Sequence, residues 1–279
     1  MKATGGKVPT IVDPFCGGGS TIVEAQRLGF PTFASDLNPV PVTITTALCR
    51  VPQLFKDQQA VNPDESRGKT VRLKGIAGLS EDVRYYARII RDRAWASLAQ
   101  YYPLGEHGEE FLAWRWAWSV PSPNPAVGGA LTPLVTDWTL SRSKRQKAWV
   151  APTIDGYKVR YTIGSTGDSS DPTAGGNSAR CLFTNDPIPF TYIREQGKAG
   201  HLRPQMFGII GERNGHRVFI PPTEEQIVPA LDVRGFDLPD VALPEKALGF
   251  RVQAYGVNRF SDLFLPRQAR SLAVFSDLV

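Results

Sequence analysis

Residues 12–21 read VDPFCGGGST: an acid, a proline and three consecutive glycines, directly after the short apolar run VPTIV at 8–12. A turn stripped of side chains between a first strand and a first helix lets a ligand lie against bare backbone. In α/β proteins this is where nucleotide-type cofactors bind. Three chemistries compete for the turn. A phosphate loop needs a lysine and a Ser or Thr after its second glycine, and the lysine is missing. A dinucleotide loop needs G-x-G-x-x-G; Gly17 and Gly19 fill the first two positions, but Ile22 stands at the third. S-adenosyl-L-methionine (SAM) carries no phosphate and needs no lysine. Its ammonium group suits an acid at the end of the first strand, Asp13. Its ribose hydroxyls suit an acid at the end of the second, where Asp36 follows TFAS. On this reading Asp13 meets the ammonium group, Gly17, Gly18 and Gly19 the methionine backbone and Asp36 the ribose, with Pro14, Phe15, Cys16, Leu37 and Asn38 in the same cofactor pocket. The plain alternative is a tight strand–helix turn with no ligand.

The elements that would position these residues are short. VPTIV reads as a buried strand, Thr21 to Leu28 as a helix stopped by Gly29, and Pro31 to Ser35 as a second strand. Asn38 is a helix cap with Pro39 in the first turn of a helix running to about Arg50. Strand–helix–strand–helix in this order is the pattern of a parallel α/β sheet. Residues 56–78 read as a polar loop, and Ser80 to about Tyr101 as a long amphipathic helix. After Trp118 the chain turns rich in Pro, Gly, Ser and Thr with short β-like runs such as KVRYTI at 158–163. Residues 217–220 read as a strand, PPTEEQ as a helix start, 231–258 as mostly loop and 266–278 as a final helix. No internal repeat is present.

Bulk properties narrow the class. Hydrophobic residues make up 42% of the 279, an ordinary globular content. No apolar run approaches the roughly 20 residues of a membrane span, and the first residues show no signal-peptide pattern. Three cysteines, odd in number and far apart, imply a reducing, cytoplasmic setting without a disulfide framework. A net charge of +5 suits a polyanionic partner.

Beyond these readings, IVDPFCGGGSTIVEAQRLGFPTFASDLNPV resembles the cofactor-binding start of amino-group DNA methyltransferases. FLAWRWAWSVPSPNPAVGG, LSRSKRQKAW, YIREQGKAG, VFIPPTEEQ and FSDLFLPRQARSLAVFSDLV resemble, in order, further blocks of the prokaryotic zinc-ribbon-containing adenine-specific DNA methylases. The resemblance covers most of the chain. It implies a partial class I methyltransferase (Rossmann-like) parallel sheet, with 1–118 as the SAM-binding portion. A β-rich insertion at 119–192 and a return to the methyltransferase domain at 193–279 would follow. It also implies SAM as cofactor, DNA as partner and an adenine amino group as methyl acceptor, with cytosine as the alternative.

Two departures qualify that expectation. The family's zinc ribbon resembles C-P-N-P-x-C-G followed by C-P-x-C-G, whereas this chain has Ser122 and Val127 at the first pair and Cys181 and Thr184 at the second. One thiolate of four is too few for a tetrahedral zinc site, so a metal-free ribbon remnant is expected. The methyl-transferring motif [DNS]-P-P-[YFW], which would orient the amine of a flipped-out base, is absent. NDPIPF (185–190) has an isoleucine between its prolines, and IPPTE (220–224) lacks the preceding acid or amide. Catalytic residues are therefore unassigned, and the family's motif is expected downstream of FSDLV. Three or four strands of a normally seven-stranded sheet are expected, leaving an apolar edge for a second methylase chain or an oligomer. The alternative function is a non-catalytic SAM- or DNA-binding remnant or subunit of a split methylase, and an RNA methylase is a third reading.

The remaining candidates bear on nucleic acid. SRSKRQK holds Arg142, Lys144, Arg145 and Lys147, a phosphate-binding patch or a solvated hairpin tip. Trp114, Trp116 and Trp118 suit base stacking or, better, packing of the insertion. Arg267 and Gln268 suit domain packing or DNA contact, and His107 reads as a surface residue.

Overall fold

The structure is a computed structural model and describes residues 6–63, 75–176, 178–244 and 251–279. It is a mixed α/β protein with two compact units, Met1–Arg93 and Ala94–Val279.

In the first unit, β1 (Ile11–Asp13) leads through the glycine turn into α1 (Ser20–Arg27), then β2 (Thr32–Ala34), α2 (Pro39–Cys49), α3 (Val51–Leu54) and most of α4 (Gly75–Leu98). β1 and β2 pair in parallel, with Val12 opposite Phe33 and Asp13 opposite Ala34. The pairing continues as Cys16 and Ser35 donate amides to Ser35 and Asp13 carbonyls. Asn38 caps α2 as its residue type implies, its side chain accepting the Val40 amide at 3.0 Å, with Pro39 at the first helical position. Among the described residues the parallel sheet is two strands, not the three or four expected. A parallel sheet normally buries both faces, yet Val12 and Phe33 stand together on one face at 60% and 62% exposure. The loop expected over 56–78 lies in part outside the described residues, at 64–74. α4 already begins at Gly75, ahead of the expected Ser80.

In the second unit the chain is dominated by antiparallel sheets. β3 (Glu110–Pro121), β4 (Leu131–Pro133), β11 (Arg203–Arg213) and β12 (His216–Ile220) form one sheet in the order β12-β11-β3-β4. β5 (Thr139–Ser143), β6 (Gln146–Asp155) and β7 (Lys158–Gly164) form a second. β8 (Ala174–Gly175), β9 (Ser178–Arg180) and β10 (Pro187–Pro189) form a third, followed by α5 (Phe190–Lys198); α6 (Glu224–Leu231) and α7 (Pro266–Leu278) complete the unit. The expected boundaries at 118/119 and 192/193 both fall inside elements, β3 and α5. Part of the expected loop at 231–258 lies outside the described residues, at 245–250.

Packing explains the order. The side chains of β3 alternate, so Arg115 and Ala117 face the second sheet while the tryptophans face away. Phe207 on β11 joins Val135, Trp138 and Val150 in a core between the two sheets, with Tyr161 and Ile163 against it. Val120, Ala179, Cys181, Ile188 and Ile193 form a second core around the third sheet. β11 is central and buried on both faces at Met206, Phe207 and Ile209, which is why it reads as an unbroken apolar run rather than an alternation.

Helix α6 is locked by one amide. Gln226, 2% exposed, accepts the Trp114 Nε1 hydrogen at 2.9 Å and donates to the Pro103 carbonyl at 2.8 Å. Gln226→Leu keeps the volume but leaves both partners without a hydrogen bond in a buried place. It is expected to cost on the order of 1–3 kcal/mol per orphaned group, read as a lower urea midpoint at unchanged m-value.

Candidate functional site

The glycine turn is shaped by two carboxylates and one close helix. Asp13 Oδ1 accepts the Phe15 amide at 3.1 Å, curling the chain out of β1. Asp36, at the end of β2, accepts the Asn38 amide on Oδ1 at 3.0 Å and the Gly17 amide on Oδ2 at 3.2 Å. Those bonds, Asn38 first and Gly17 second, hold the Asp36 carboxyl below the usual carboxylate range.

The three glycines have different reasons to be glycine. Gly17 (φ +47°) and Gly19 (φ +77°) are in the left-handed region, whereas Gly18 is not. A Cβ on Gly19 would stand 2.8 Å from Thr45 Oγ1 and 3.3 Å from the Thr45 Cα, so helix α2 forbids it. A Cβ on Gly18 meets nothing within 4 Å, and one on Gly17 only the Phe15 carbonyl at 3.9 Å. Gly19 is thus a packing glycine, and Gly17–Gly18 form a bare, open ledge. Phe15 (82% exposed) and Leu37 (fully exposed) flank it as uncovered apolar side chains, while Cys16 is buried on the helix side with Ile22, Thr45 and Cys49. The first unit therefore joins Asp13 to Phe15 and Asp36 to Gly17 and Asn38, with Gly18 open beside them; Pro14 and Leu37 lie exposed, and Cys16 and Gly19 serve packing.

The basic knot forms the β5–β6 hairpin, with Arg142 opposite Lys147 and Ser143 opposite Gln146. Its four cations are not equivalent. Arg142 pairs with Asp137 at 2.7 Å. Lys147 donates to the Gly167 carbonyl at 3.1 Å and lies 5.3 Å over the Trp149 ring. Lys144 and Arg145, at the tip, carry no such side-chain bond among the described residues, so the patch offers two uncommitted cations rather than four.

The other candidates resolve into packing. Trp114 meets Tyr102 and Phe111 edge-on, and Arg267, 4% exposed, lies 4.2 Å over Trp114 and 4.6 Å over Tyr102 while donating to the Tyr101 carbonyl. Arg267 is a packing residue, without access to DNA. Gln268 caps α7 by accepting the Leu265 amide. Within NDPIPF, Pro187–Pro189 form β10 with Ile188 wholly buried, and Phe190 opens α5. Trp118 keeps an exposed ring.

At the ribbon positions, Ser122 lies 3.1 Å from Cys181 Sγ, and Thr132 donates to that sulfur at 3.6 Å. Burial opposes ionisation of the thiol, but hydroxyl bonds from Ser122, Thr184 and Thr132 outweigh it and hold Cys181 below the ordinary thiol range. Among the described residues no group of three or more His, Cys, Asp or Glu side chains is placed to hold a metal, and no helix is long and apolar enough to cross a membrane. The residues overlooked in the sequence are Glu109 and Arg213, an ion pair at 3.1 Å between a buried carboxylate and an exposed guanidinium, beside His107; nothing in their spacing, over a hundred residues apart, signals it. No family model, no curated protein and no solved structure matches the chain.

Two predictions follow from these contacts. Gly19→Ala is expected to destabilise by on the order of 1–3 kcal/mol through strain and the clash with Thr45, whereas Gly18→Ala leaves the melting temperature within a degree or two; thermal denaturation compares them. The amide and hydroxyl of Thr139 and then Arg142 pull Asp137 from 3.8 to about 2. A carboxyl lowered on folding contributes stability above its unfolded value and loses it as pH falls through the folded one. Stability is therefore expected to decline from about pH 4 toward pH 2, with a shallower decline in Asp137→Asn, measured by urea denaturation across that range.

Proposed function

We propose that the chain is the cofactor-holding part of a SAM-dependent DNA methyltransferase homologue acting on adenine amino groups. The β1–α1–β2–α2 segment is the start of a class I, Rossmann-like sheet. The observation that carries this reading is the ledge: Gly17 and Gly18, open to solvent, with Gly17 fastened by the acid that ends β2. A Cβ on either glycine would fill the space the methionine end takes. Asp36 accepts two backbone bonds, and a carboxylate has about four lone-pair sites, so capacity remains for both ribose hydroxyls. Asp13 keeps one oxygen beyond its bond to Phe15 for the ammonium group. Phe15 and Leu37 gain cover from a bound nucleoside, an explanation for apolar side chains left in water. SAM supplies a methyl group on a sulfonium; the residues here bind and orient it, and none is assigned to transfer. Lys144 and Arg145 at the hairpin tip suit DNA phosphates, a contact that weakens steeply with salt.

A second reading is favoured by the bare sheet face. Two parallel strands are too few for an independent sheet, and Val12 and Phe33 are exposed where such a sheet is normally covered. On this reading the chain is a SAM- or DNA-binding subunit that acts with a second methylase chain laid over β1 and β2.

Calorimetric titration with SAM, followed by transfer of labelled methyl groups to DNA, tests both. One saturable site is expected in the wild type, with binding weakened tenfold or more in Gly18→Leu at unchanged melting temperature, and weakened also in Asp36→Ala. Absence of SAM binding, or equal binding by Gly18→Leu, overturns the cofactor assignment. Binding without transfer by the chain alone selects the subunit reading; transfer to DNA but not RNA selects the complete enzyme.

A further inference from the structure

The three tryptophans of β3 share the side of the four-stranded sheet that faces away from the second sheet, since side chains alternate along a strand. They are not equally enclosed. Arg267 lies 4.2 Å over the Trp114 ring, Tyr102 and Phe111 meet it edge-on, and Gln226 takes its indole hydrogen. Trp118 is 45% exposed and Trp116 half-buried, and neither indole N–H has a hydrogen bond among the described residues.

A cavity of about 370 Å³ opens over these two rings, within the roughly 300–1,000 Å³ of small-molecule sites. Its floor follows from the register. Pro204 on β11 stands opposite Trp118 and Met206 opposite Trp116, and directly opposed residues share a face. The segment from Asp262 to Leu265 and the first turn of α7, at Gln268, form the facing wall, where Phe264 adds a third exposed ring. Arg115 and Ala117 also border the cavity, but their side chains lie on the opposite face. There Arg115 sits 5.5 Å over the Phe207 ring and Ala117 packs on the core between the sheets.

The polar groups of the facing wall are anchored and still have capacity. Asp262 Oδ2 accepts the Asn258 and Arg259 amides, both at 2.9 Å, and Gln268 Oε1 accepts the Leu265 amide at 2.9 Å. Asp262 Oδ1 and Gln268 Nε2 have no hydrogen bond among the described residues. Ring surfaces therefore stand beside N–H donors and one acceptor. Among the lining residues no cation lies on this face to hold a phosphate or carboxylate, so the group that enters is uncharged. An unpaired nucleobase has that chemistry: two π-faces for stacking on aromatic rings, and an edge of donors and acceptors.

We propose that this cavity stacks one unpaired nucleobase against Trp116 and Trp118, with its edge toward Asp262 and Gln268 and any phosphate left outside. The base comes from a single strand or from a free nucleoside. The site uses residues of the second unit alone and does not rest on the cofactor reading.

The test is titration of the full chain, at constant salt, with hexathymidylate, with an abasic hexamer of the same backbone and with thymidine, read by quenching of tryptophan fluorescence. A pyrimidine keeps the probe unlike the nucleoside end of SAM. Saturable quenching by hexathymidylate is expected, at least tenfold tighter than by the abasic hexamer, a comparison that needs no variant. Trp118→Leu, at a half-exposed position, is expected to weaken binding tenfold or more at unchanged melting temperature, and Trp118→Phe, which keeps a ring, to lose less. Gly18→Leu leaves the affinity unchanged, so this site and the glycine ledge fail separately. Support takes two forms: thymidine within tenfold of the hexamer identifies a free nucleoside as occupant, and a tighter hexamer identifies a strand. No saturable binding of either overturns the proposal, as does equal affinity for the abasic hexamer or unchanged affinity in Trp118→Leu. Tighter binding of methyl glucoside than of thymidine also overturns it, by making the cavity a sugar site.

Discussion

The Asp36 carboxylate is the constraint on which the first unit depends. A turn of three glycines has more conformational freedom to lose than any other sequence of its length, and within it only the Gly19 amide bonds back, to the Cys16 carbonyl at 2.7 Å. Asp36 compensates from outside, with one oxygen on the Gly17 amide and the other on the Asn38 amide. It thereby fastens the end of β1 to the end of β2 and to the cap of α2 at once. The short parallel pair, the left-handed entry into α1 and the seating of Gly19 against Thr45 all follow from that bracket. The same carboxylate has lone pairs left for a ligand. Structural and binding roles are superposed on one group, and Gly18, which has no packing role, is where they separate.

The second unit is held by a different principle. Its buried polar groups are matched in small closed sets: Gln226 with Trp114 and Pro103, Glu109 with Arg213 and His107, Arg267 with two rings and a carbonyl, Cys181 with three hydroxyls. Each set ties segments distant in sequence, and each would be costly to leave half made. In the Cys181 set weak donors converge on one sulfur and hold its thiol below the ordinary range.

How much of this was legible in the sequence depended on whether the signal was local. Asn38–Pro39 and Pro266 act on their immediate neighbours, and α2 and α7 appear where those residues imply. β11 escaped because a strand buried on both faces has no period of two, and its partner β3 lies some ninety residues earlier. The start of α4 at Gly75 escaped because the apolar spacing only becomes regular further on. In the candidate site the residue types were readable but their division of labour was not. That Gly19 answers to Thr45, or that Arg142 and Lys147 are engaged within the protein, is set by tertiary neighbours. The parallel sheet was over-read: two strands stand where three or four were expected.

Those two strands leave Val12 and Phe33 in water beside a ledge bordered by Phe15 and Leu37. A ligand on the ledge covers the second pair, and a partner chain the first. The most direct measurement of the central claim is a backbone amide NMR titration of the full chain with SAM. The account predicts saturable shifts confined to the amides of residues 15–18 and 36–38, with the Gly17 and Asn38 amides, both bonded to Asp36, among the largest. Shifts elsewhere, or none in these two segments at saturating SAM, would contradict it.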